Sequence, residues 1–549
     1  MPTPATRLWL RSGAACLTLA VPAFAGDELS EALVLSGDPI ASMGVANSFG
    51  DLDVNDDGDW VIGVSTDTTS LNNSVLMANG EILATEGQVL SALPGVFLNV
   101  IGDVGIDDAG EVYYDAGLSG APLNALLNAT ADASLIQQGD SFIGLGLPDG
   151  YALAEVSRFQ LFGTNDFIAD ALFEEDANPG VFADGIVRFT DDGVVGGLSA
   201  TGVVFEGDLV AGGSGTLKSI SSGNHSLATN SAGLALFVAG TTPDDFTPLT
   251  YSIALENTVV VSEGSPSPLP GRDWSDLAVA SVAINDSNDV AWEGRITGDS
   301  SDNYLLVKNG EKVAQRGDPV PGLPGPTLLD FNNLPLYLSD SGELLWCGVW
   351  IGGGLDFGLF IDDKPLVLTG VTQIDGATVV ELDPYFTGYA MSDNGRYVIF
   401  GADLSDGRSG VFRIDRWGNA EPIASCNGNL ASLTAPDGGP QIGETLTLRF
   451  ETAETPSAIA FLGLAPAVLS PCGLDLPGIG EVLIDFGLGL TLLPAGTLSG
   501  GPLDAAFPIP ADASLFGAQT FAQGLLGDLS GGASQATFLT DALRLCIGG

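Results

Sequence analysis

The stretch Ile284-Asn285-Asp286-Ser287-Asn288-Asp289-Val290 predicts a β-hairpin, because two apolar residues flank a short turn of Asp, Asn and Ser. The same pattern occurs at residues 54–60, 106–112, 338–344 and 391–397, and in weaker form at 162–167 and 227–234. These residue types favour turns because a tight reversal of the chain needs positive φ or a side-chain hydrogen bond to the backbone. Seven copies in one chain indicate a repeat architecture.

A second hairpin follows each of the first ones, most clearly at residues 305–319, which residues 75–87 match closely. Each copy ends at a glycine, and the closing glycines are Gly87, Gly139, Gly193, Gly264, Gly317 and Gly370, separated by 52, 54, 71, 53 and 53 residues. The long step predicts an insertion of about eighteen residues in the fourth unit. Each unit therefore predicts four strands in about fifty residues.

Four-stranded units of this length cannot bury both of their faces alone, so neighbouring units must stack against each other. Seven units arranged around an axis close into a ring without exposed terminal units. A β-helix is disfavoured because its repeat is far shorter. The sequence thus predicts an all-β chain with a seven-bladed β-propeller over residues 26–425, preceded by a signal peptide at 1–25.

Residues 31–39 match the last strand of a unit, as a comparison with residues 313–319 shows, but they precede the first hairpin. An outer strand at this position has no partner within a unit of its own. We expect it to pair with the final blade, because an unpaired edge would otherwise remain in the ring.

The repeat stops at Cys426, and residues 444–450 alternate between polar and apolar as a half-buried strand does. Residues 426–549 are therefore predicted to form a small β-sandwich-like domain. Residues 507–517 and 542–548 resemble C-terminal β-domains found on secreted proteins of planctomycetes and similar bacteria, often behind propellers. The propeller part likewise resembles uncharacterised members of such families, and the resemblance implies secretion but supplies no functional residues.

The N-terminal 25 residues have the pattern of an export signal. Arg7 and Arg11 give a basic start, residues 12–22 are apolar, and Ala23-Phe24-Ala25 forms an A-x-A exit. No later apolar run is long enough for a transmembrane anchor. We therefore expect a protein that is secreted or displayed at the cell surface.

The charge of the chain is extreme: 17 Lys and Arg stand against 69 Asp and Glu, a formal net charge of −52. Such a surface repels phosphate backbones, so nucleic-acid binding is excluded as a function class. Solvation of a secreted surface accounts for this charge. Binding of divalent cations by some of the carboxylates is compatible with it.

Residues 49–59 resemble the calcium-binding FG-GAP repeats of integrin-like propellers. Asp53, Asn55, Asp57 and Asp59 stand at alternate positions around Gly58 and match the opening of a D-x-N-x-D-G calcium loop, with Val64 where the closing glutamate would be. These four residues are the candidate metal ligands, and calcium is the one cofactor that the sequence suggests. The alternative is an ordinary hairpin turn.

Four cysteines remain after removal of the signal, and an oxidising compartment permits a disulfide among the last three. Spacing alone does not select the pair. We favour Cys426 with Cys546, which would join the two ends of the C-terminal domain, and expect Cys472 to stay reduced. Cys347, in an apolar run, is expected to be a buried free thiol.

Catalytic signatures are sparse. The single histidine, His225, rules out a multi-histidine metal centre, and we expect it to be a turn residue. No G-x-S-x-G elbow occurs. We therefore expect a non-catalytic binding or surface-interaction protein whose partner is a protein or a glycan. The alternative is a secreted carbohydrate-active hydrolase or lyase, which carboxylates with an aromatic side chain at one mouth of the propeller channel would favour.

Overall fold

The computed structural model describes residues 30–548 except 69–72, 143–144, 146, 148–149, 176–177, 179, 193–196, 214, 221–224, 245–246, 332–333, 353, 375, 385–387, 424, 427, 437, 443, 454–456, 470–471, 478, 486, 488, 511–517 and 529–536. The predicted signal peptide at residues 1–25 lies outside this part of the chain. So does Gly193, one of the predicted closing glycines.

Residues 30–415 form seven antiparallel sheets, which are the blades of a β-propeller. Strand β1 (Ser30–Leu35) and a short 3-10 helix (Ala41–Met43) precede blade 1. Blades 1 to 3 contain β2 (Ala46–Val54), β3 (Trp60–Thr66), β4 (Ser74–Ala78), β5 (Glu81–Thr85); β6 (Phe97–Ile106), β7 (Val112–Ser119), β8 (Asn124–Asn128), β9 (Ala133–Gln137); and β10 (Tyr151–Gly163), β11 (Asp166–Glu175), β12 (Phe182–Asp191), β13 (Leu198–Phe205).

In blades 4 to 7 the first strand is split into two pieces that pair with the same neighbour. These blades contain β14 (Thr216–Ile220), β15 (Leu227–Thr229), β16 (Ala235–Thr242), β17 (Thr250–Leu255), β18 (Thr258–Ser262); β19 (Trp274–Asp276), β20 (Val282–Ile284), β21 (Val290–Ile296), β22 (Tyr304–Lys308), β23 (Glu311–Gln315); β24 (Leu328–Asp330), β25 (Tyr337–Leu338), β26 (Leu344–Ile351), β27 (Leu355–Ile361), β28 (Lys364–Leu368); and β29 (Gln373–Ile374), β30 (Ala377–Leu382), β31 (Tyr389–Met391), β32 (Tyr397–Leu404), β33 (Ser409–Asp415).

The core of the propeller lies between adjacent blades. Leu76 of blade 1 packs with Leu98 and Tyr114 of blade 2 in one buried cluster, and Trp274 and Trp292 of blade 5 pack against β16 and β17 of blade 4 in another. The first strands of neighbouring blades also contact one another, which places them innermost, around the axis. The predicted all-β fold with seven blades is therefore confirmed.

A glycine with positive φ ends each outermost strand and donates its N–H to a carbonyl in the innermost strand of the next blade. These glycines are Gly37, Gly87, Gly139, Gly207, Gly264, Gly317 and Gly370. Only glycine adopts this backbone conformation at little cost. Gly207 holds the place that the sequence pattern assigned to Gly193, so the extra residues belong to the third blade, whose strands are long, and not to the fourth.

Ring closure follows the prediction. Strand β1 pairs antiparallel with β33 in register from Ser30↔Ile414 to Leu35↔Gly410 and becomes the outermost strand of blade 7. Val34, 3% exposed, lies in the apolar cluster shared by blades 7 and 1. The Arg413 guanidinium contacts the Glu31 carboxylate at 2.6 Å, which adds an ion pair to the closure.

The C-terminal domain is also all-β. It contains β34 (Asn419–Ile423), β35 (Ala431–Thr434), β36 (Thr445–Thr452), β37 (Ser457–Ala465), β38 (Leu474–Leu476), β39 (Gly480–Val482), β40 (Thr491–Ser499), β41 (Leu503–Pro508), β42 (Gln519–Asp528) and β43 (Thr537–Cys546). Strands β34, β43, β42, β37 and β40 form one sheet and β35, β36 and β41 continue from β43. Leu448 and Phe450 of the second group pack with Leu462 and Leu526 of the first, a sandwich-like core.

The two compact units divide between Arg416 and Trp417. This boundary is nine residues before the predicted one at Cys426, because β34 pairs with β43 and so belongs to the C-terminal sheet. Nothing in the repeat pattern marks that strand.

The predicted disulfide between Cys426 and Cys546 is wrong: Cys426 is bonded to Cys472, with a Cα–Cα distance of 5.8 Å. Strand register explains the error. The Ser425 N–H donates to the Asp541 carboxylate, five residues before Cys546 and so about 17 Å from it along β43. Cys546 is buried and takes part in no disulfide, and Cys347 is a buried free thiol, as predicted.

Removing β1 should destabilise the propeller. We expect a chain that begins at Ser36 to melt about 5 °C or more below one that begins at Gly26, because β33 loses its outer partner strand and Val34 leaves the core. One kcal/mol of stability corresponds to about 2–4 °C in domains of 150–250 residues. Differential scanning calorimetry measures the difference. Glu31→Gln, which removes only the exposed ion pair with Arg413, should change the melting temperature little. Equal melting of the two chains would contradict the closure.

Loss of the disulfide should act on the C-terminal domain alone. The bond spans 46 residues, for which loop entropy gives on the order of 4 kcal/mol. We therefore expect Cys472→Ser to lower the free energy of unfolding of this domain by about 2–4 kcal/mol in urea melts and to leave the propeller transition in place. Cys546→Ala is the control that keeps the bond. A peptide map that links Cys426 to Cys546 would contradict the structure.

Candidate functional site: the axial channel of the propeller

Two neighbouring cavities of about 220 Å³ and about 110 Å³ lie on the propeller axis. The first is lined by the ends of the innermost strands of all seven blades and by the turns that follow them. The second lies along the same strands in blades 3 to 7. Seven residues line both cavities, so the two are parts of one axial channel.

The turns at this end of the channel are held by side-chain caps. In blade 1 the Asn55 Oδ1 accepts the N–H groups of Asp57 and Asp59, at 3.1 and 2.9 Å. Asp107 and Asn285 cap the corresponding turns of blades 2 and 5 by accepting a backbone N–H in the same way. Such Asx turns satisfy backbone donors that the tight reversal would otherwise leave unpaired.

The same turns are hydrogen-bonded from blade to blade, and we call this set of turns the turn belt. The Asn285 Nδ2 donates to the Ser339 carbonyl at 2.8 Å, and the Asn55 Nδ2 to the Asp107 carbonyl at 2.9 Å. Between blades 7 and 1 the Asn394 N–H donates to the Asp56 carboxylate at 2.7 Å. The polar repeat that predicted the fold therefore also joins the blades around the axis.

The four predicted calcium ligands belong to this turn belt. The Asp53 carboxylate accepts the N–H groups of Val54 and Ile106, and Asn55 is buried as the turn cap. Asp57 is exposed, and Asp59 accepts a hydrogen bond from Asn79. The structure thus brings these residues into one turn but gives most of their oxygens a structural partner. Calcium binding by Asp53, Asn55, Asp57 and Asp59 stays a prediction.

A metal site needs at least three ligand atoms close enough to share one ion. Among the described Cys, His, Asp and Glu residues, one group meets this condition: Cys426, Cys472 and Glu481. The two sulfurs of this group are joined in the disulfide. They therefore do not provide the thiolates that a metal ion would require.

The axial cavities contain five polar side chains for which the described part of the chain shows no hydrogen-bond partner. They come from four blades and are Gln160, Thr164, His225, Tyr337 and Asp393. Leu227, Ile284, Leu338 and Met391 are among the apolar residues between them. The wall therefore combines apolar residues with a larger polar surface, and converging polar groups are what orients a ligand in a small-molecule site.

The pKa values of Asp393 and His225, two ionisable groups of the channel wall, are shifted. Loss of bulk water, followed by repulsion from Asp56, Asp108, Asp53 and Asp340, raises the pKa of Asp393 to about 7. Burial, followed by the positive charge of Arg158, lowers the pKa of His225 to about 4. At pH 7 the imidazole is therefore neutral and the carboxyl of Asp393 is divided between its two forms.

Two further carboxyl groups belong to blade 2, Asp103 on the innermost strand β6 and Asp115 on the adjacent strand β7. Burial, then repulsion from Asp51, raises the pKa of Asp103 to about 6, and burial, then repulsion from Asp103, raises that of Asp115 to about 7. The nearby guanidinium of Arg158 is held by Asp170 at 2.6 Å and donates to Ser226. Raised carboxyl pKa values therefore extend beyond the cavity lining into blade 2.

Sequence reasoning missed the channel residues. His225 lies in a turn, as expected, but it is also half-buried in the cavity wall, two residues before β15, an innermost strand. Tyr337 begins β25 in blade 6, two residues before the turn cap Ser339. The repeat offered one signal: the two residues before the turn of a unit lie on an innermost strand.

No family model matches the chain, and no curated protein matches its sequence. Solved structures that align along its length include an engineered GH43 glycoside hydrolase (9% identity, 94% of this chain and 96% of that one, TM-score 0.20) and Trypanosoma rangeli sialidase in complex with the inhibitor DANA (10%, 94% and 96%, 0.28). A third is sucrose-6-phosphate hydrolase from Lactobacillus gasseri (10%, 93% and 94%, 0.20). Scores this low carry no functional argument, and the propeller assignment rests on the strand pairing of the chain itself.

Among the described residues, no helix has the length and apolar character needed to cross a membrane.

Replacement of Asp393 should change stability in a pH-dependent way. A carboxyl whose pKa is about 7 when folded and 3.8 ordinarily binds its proton more tightly in the folded state, so the folded state loses stability as the pH rises from about 4 to about 7. We therefore expect Asp393→Asn to melt above the parent at pH 8 and close to it at pH 4.

The control is Asp406→Asn. The backbone N–H and the guanidinium of Arg408 both donate to the Asp406 carboxylate, and they lower its pKa. That carboxylate stabilises the folded state above its ordinary pKa, so its loss should lower the melting temperature at neutral pH and not at low pH. A melting difference for Asp393→Asn that is independent of pH would contradict the assigned environment.

Proposed function

We propose that this is an exported, non-catalytic protein that binds a small polyhydroxylated ligand, such as the end of a glycan chain, in the axial channel of the propeller. The observation that carries the proposal is a set of polar side chains that face the channel without a hydrogen-bond partner among the described residues, Gln160, His225, Tyr337 and Asp393, beside apolar residues of the same wall. Gln160 and Asp393 are exposed and His225 and Tyr337 are half-buried, so their polar atoms are open to a ligand.

The chemistry of these four side chains suits hydroxyl groups. Gln160 offers both donors and an acceptor, the neutral imidazole of His225 offers one of each, and the Tyr337 hydroxyl does both. Apolar residues such as Ile284 and Met391 match the C–H surface of a sugar ring. The cavities are smaller than the ~300 Å³ common for drug-sized ligands, so a monosaccharide or a chain end fits better than a long segment.

The charge around the channel argues against anionic ligands. No Lys or Arg lines either cavity. In addition, the sequence from Ser30 to Ser157, which supplies blades 1 and 2, has nineteen Asp and Glu and neither Lys nor Arg. Phosphate, sulfate or carboxylate groups would meet repulsion there.

A carbohydrate hydrolase is the second candidate, because carboxylates and the aromatic ring of Tyr337 do meet in the channel. Asp53 and Asp393 both line the cavity of about 220 Å³. The pKa of each carboxyl group is raised to about 7, which suits a general acid. Glycoside hydrolysis, however, needs two available carboxyl groups. The Asp53 oxygens already accept two backbone N–H groups, which favours binding over catalysis.

Glycan binding should depend on the cavity side chains. We expect at least one member of a panel of neutral mono- and oligosaccharides to bind in saturation-transfer NMR, and Tyr337→Phe and Gln160→Ala to weaken it by about threefold to tenfold in calorimetry, the effect of one lost hydrogen bond. Tyr114→Phe is the matched control, because Tyr114 is buried between blades 1 and 2 away from the axis.

Failure of the whole panel to bind, or unchanged affinity in both cavity variants, would contradict the proposed site. The same samples distinguish the two functions. Reducing ends that accumulate with time in the parent protein, and not in Asp393→Asn, would replace the binding function with the hydrolase.

A further inference from the structure

The carboxylates of the axial channel differ in what they already bind. Six residues carry them: Asp53, Asp107, Asp108, Asp286, Asp340 and Asp393. Asp107 accepts two backbone N–H groups and the Tyr113 hydroxyl, and Asp286 accepts the Ser231 N–H and hydroxyl. Most of this negative charge is therefore committed to holding neighbouring turns together.

The remaining members of this set follow the same rule, with one exception. Asp108 accepts the Asp56 N–H, and a backbone N–H of Asp286 bonds to Asp340. Asp393 takes part in the belt through its carbonyl, which accepts the Asp340 N–H at 2.7 Å. Among the described residues, its carboxylate has no hydrogen-bond partner, and the residue is exposed where it lines both cavities.

We propose that the ligand carries a protonated amine that pairs with the Asp393 carboxylate, so that the preferred ligand of the axial channel is an amino sugar. This inference rests on the proposed function, which places a sugar ring beside Asp393. The ring would lie against Met391 and Ile284, within reach of the Tyr337 hydroxyl and the Gln160 amide.

The surroundings of Asp393 favour a cation over a neutral group. Four other carboxylates, those of Asp53, Asp56, Asp108 and Asp340, act on it. The imidazole of His225 in the same cavity is uncharged at neutral pH, and the guanidinium of Arg158 that acts on it is engaged by Asp170 and Ser226. An ammonium group would offset the negative charge that surrounds Asp393.

Proton linkage gives the inference a direction with pH. The raised pKa of Asp393 means that an ammonium must compete with a proton below about pH 7. An alkyl ammonium stays charged up to about pH 10. The affinity for the amine should therefore rise between pH 5 and pH 8, while the affinity for a neutral sugar should change little.

The test uses three hexoses that differ only at carbon 6: 6-amino-6-deoxyglucose, glucose and glucuronate. In calorimetry on the full chain at pH 7.5 and moderate salt, the amine should bind with at least about tenfold higher affinity than glucose. Glucuronate should bind most weakly of the three. Asp393→Asn should reduce the affinity for the amine to that for glucose. Asp57→Asn, which removes an exposed charge of the same turn belt, should keep the preference and so controls for the general field.

The outcomes separate the two proposals. Equal affinity for glucose and the amine, or a preference that survives in Asp393→Asn, would overturn the amine while the glycan site stands. Binding of butylamine as tightly as the amino sugar would keep the pairing with Asp393 and remove the sugar from the proposed function. If no hexose binds but another glycan of the panel does, the amino-sugar assignment is wrong; if nothing binds, both proposals fall.

Discussion

A four-stranded blade has two apolar faces and can bury neither of them without a neighbour on each side. The propeller satisfies this requirement seven times, and the last junction is made by β1, which joins β33 and lets blade 7 pack on blade 1. The buried clusters between blades, the glycine at the end of each outermost strand and the hydrogen bonds of the turn belt all depend on that ring being complete.

The ring also determines what the axis can contain. Seven innermost strands end at one mouth of the channel, and each brings a polar turn whose backbone groups must be satisfied. Asn, Asp and Ser side chains provide those partners, so an acidic channel wall follows from the needs of the turns. What remains for a ligand is small in number: the few side chains, Asp393 among them, that the turns do not use.

Features set by local chemistry could be predicted from the sequence, and features set by register could not. The hairpin turns, the blade number and the role of residues 31–39 follow from turn-forming residues and repeat spacing. The closing role of Gly207 was not predicted, because the long strands of blade 3 interrupt the regular spacing of the repeat. Cys546 was paired wrongly because strand register decides which cysteines meet. Asn55 looked like a metal ligand because a turn cap and a calcium loop use the same residue types. His225 lacked any motif, since its neighbours in the channel come from other blades.

The position of β1 has a consequence for the order in which the propeller is synthesised and folded. Glu31 and its partner Arg413 are 382 residues apart, so the strand that leaves the ribosome first is the one whose place is completed last. Until β33 has been made, blade 1 has a neighbour on one side only. A nascent chain interrupted anywhere before residue 409 therefore carries an open sheet edge at each end, and each edge can pair with another chain until synthesis is finished.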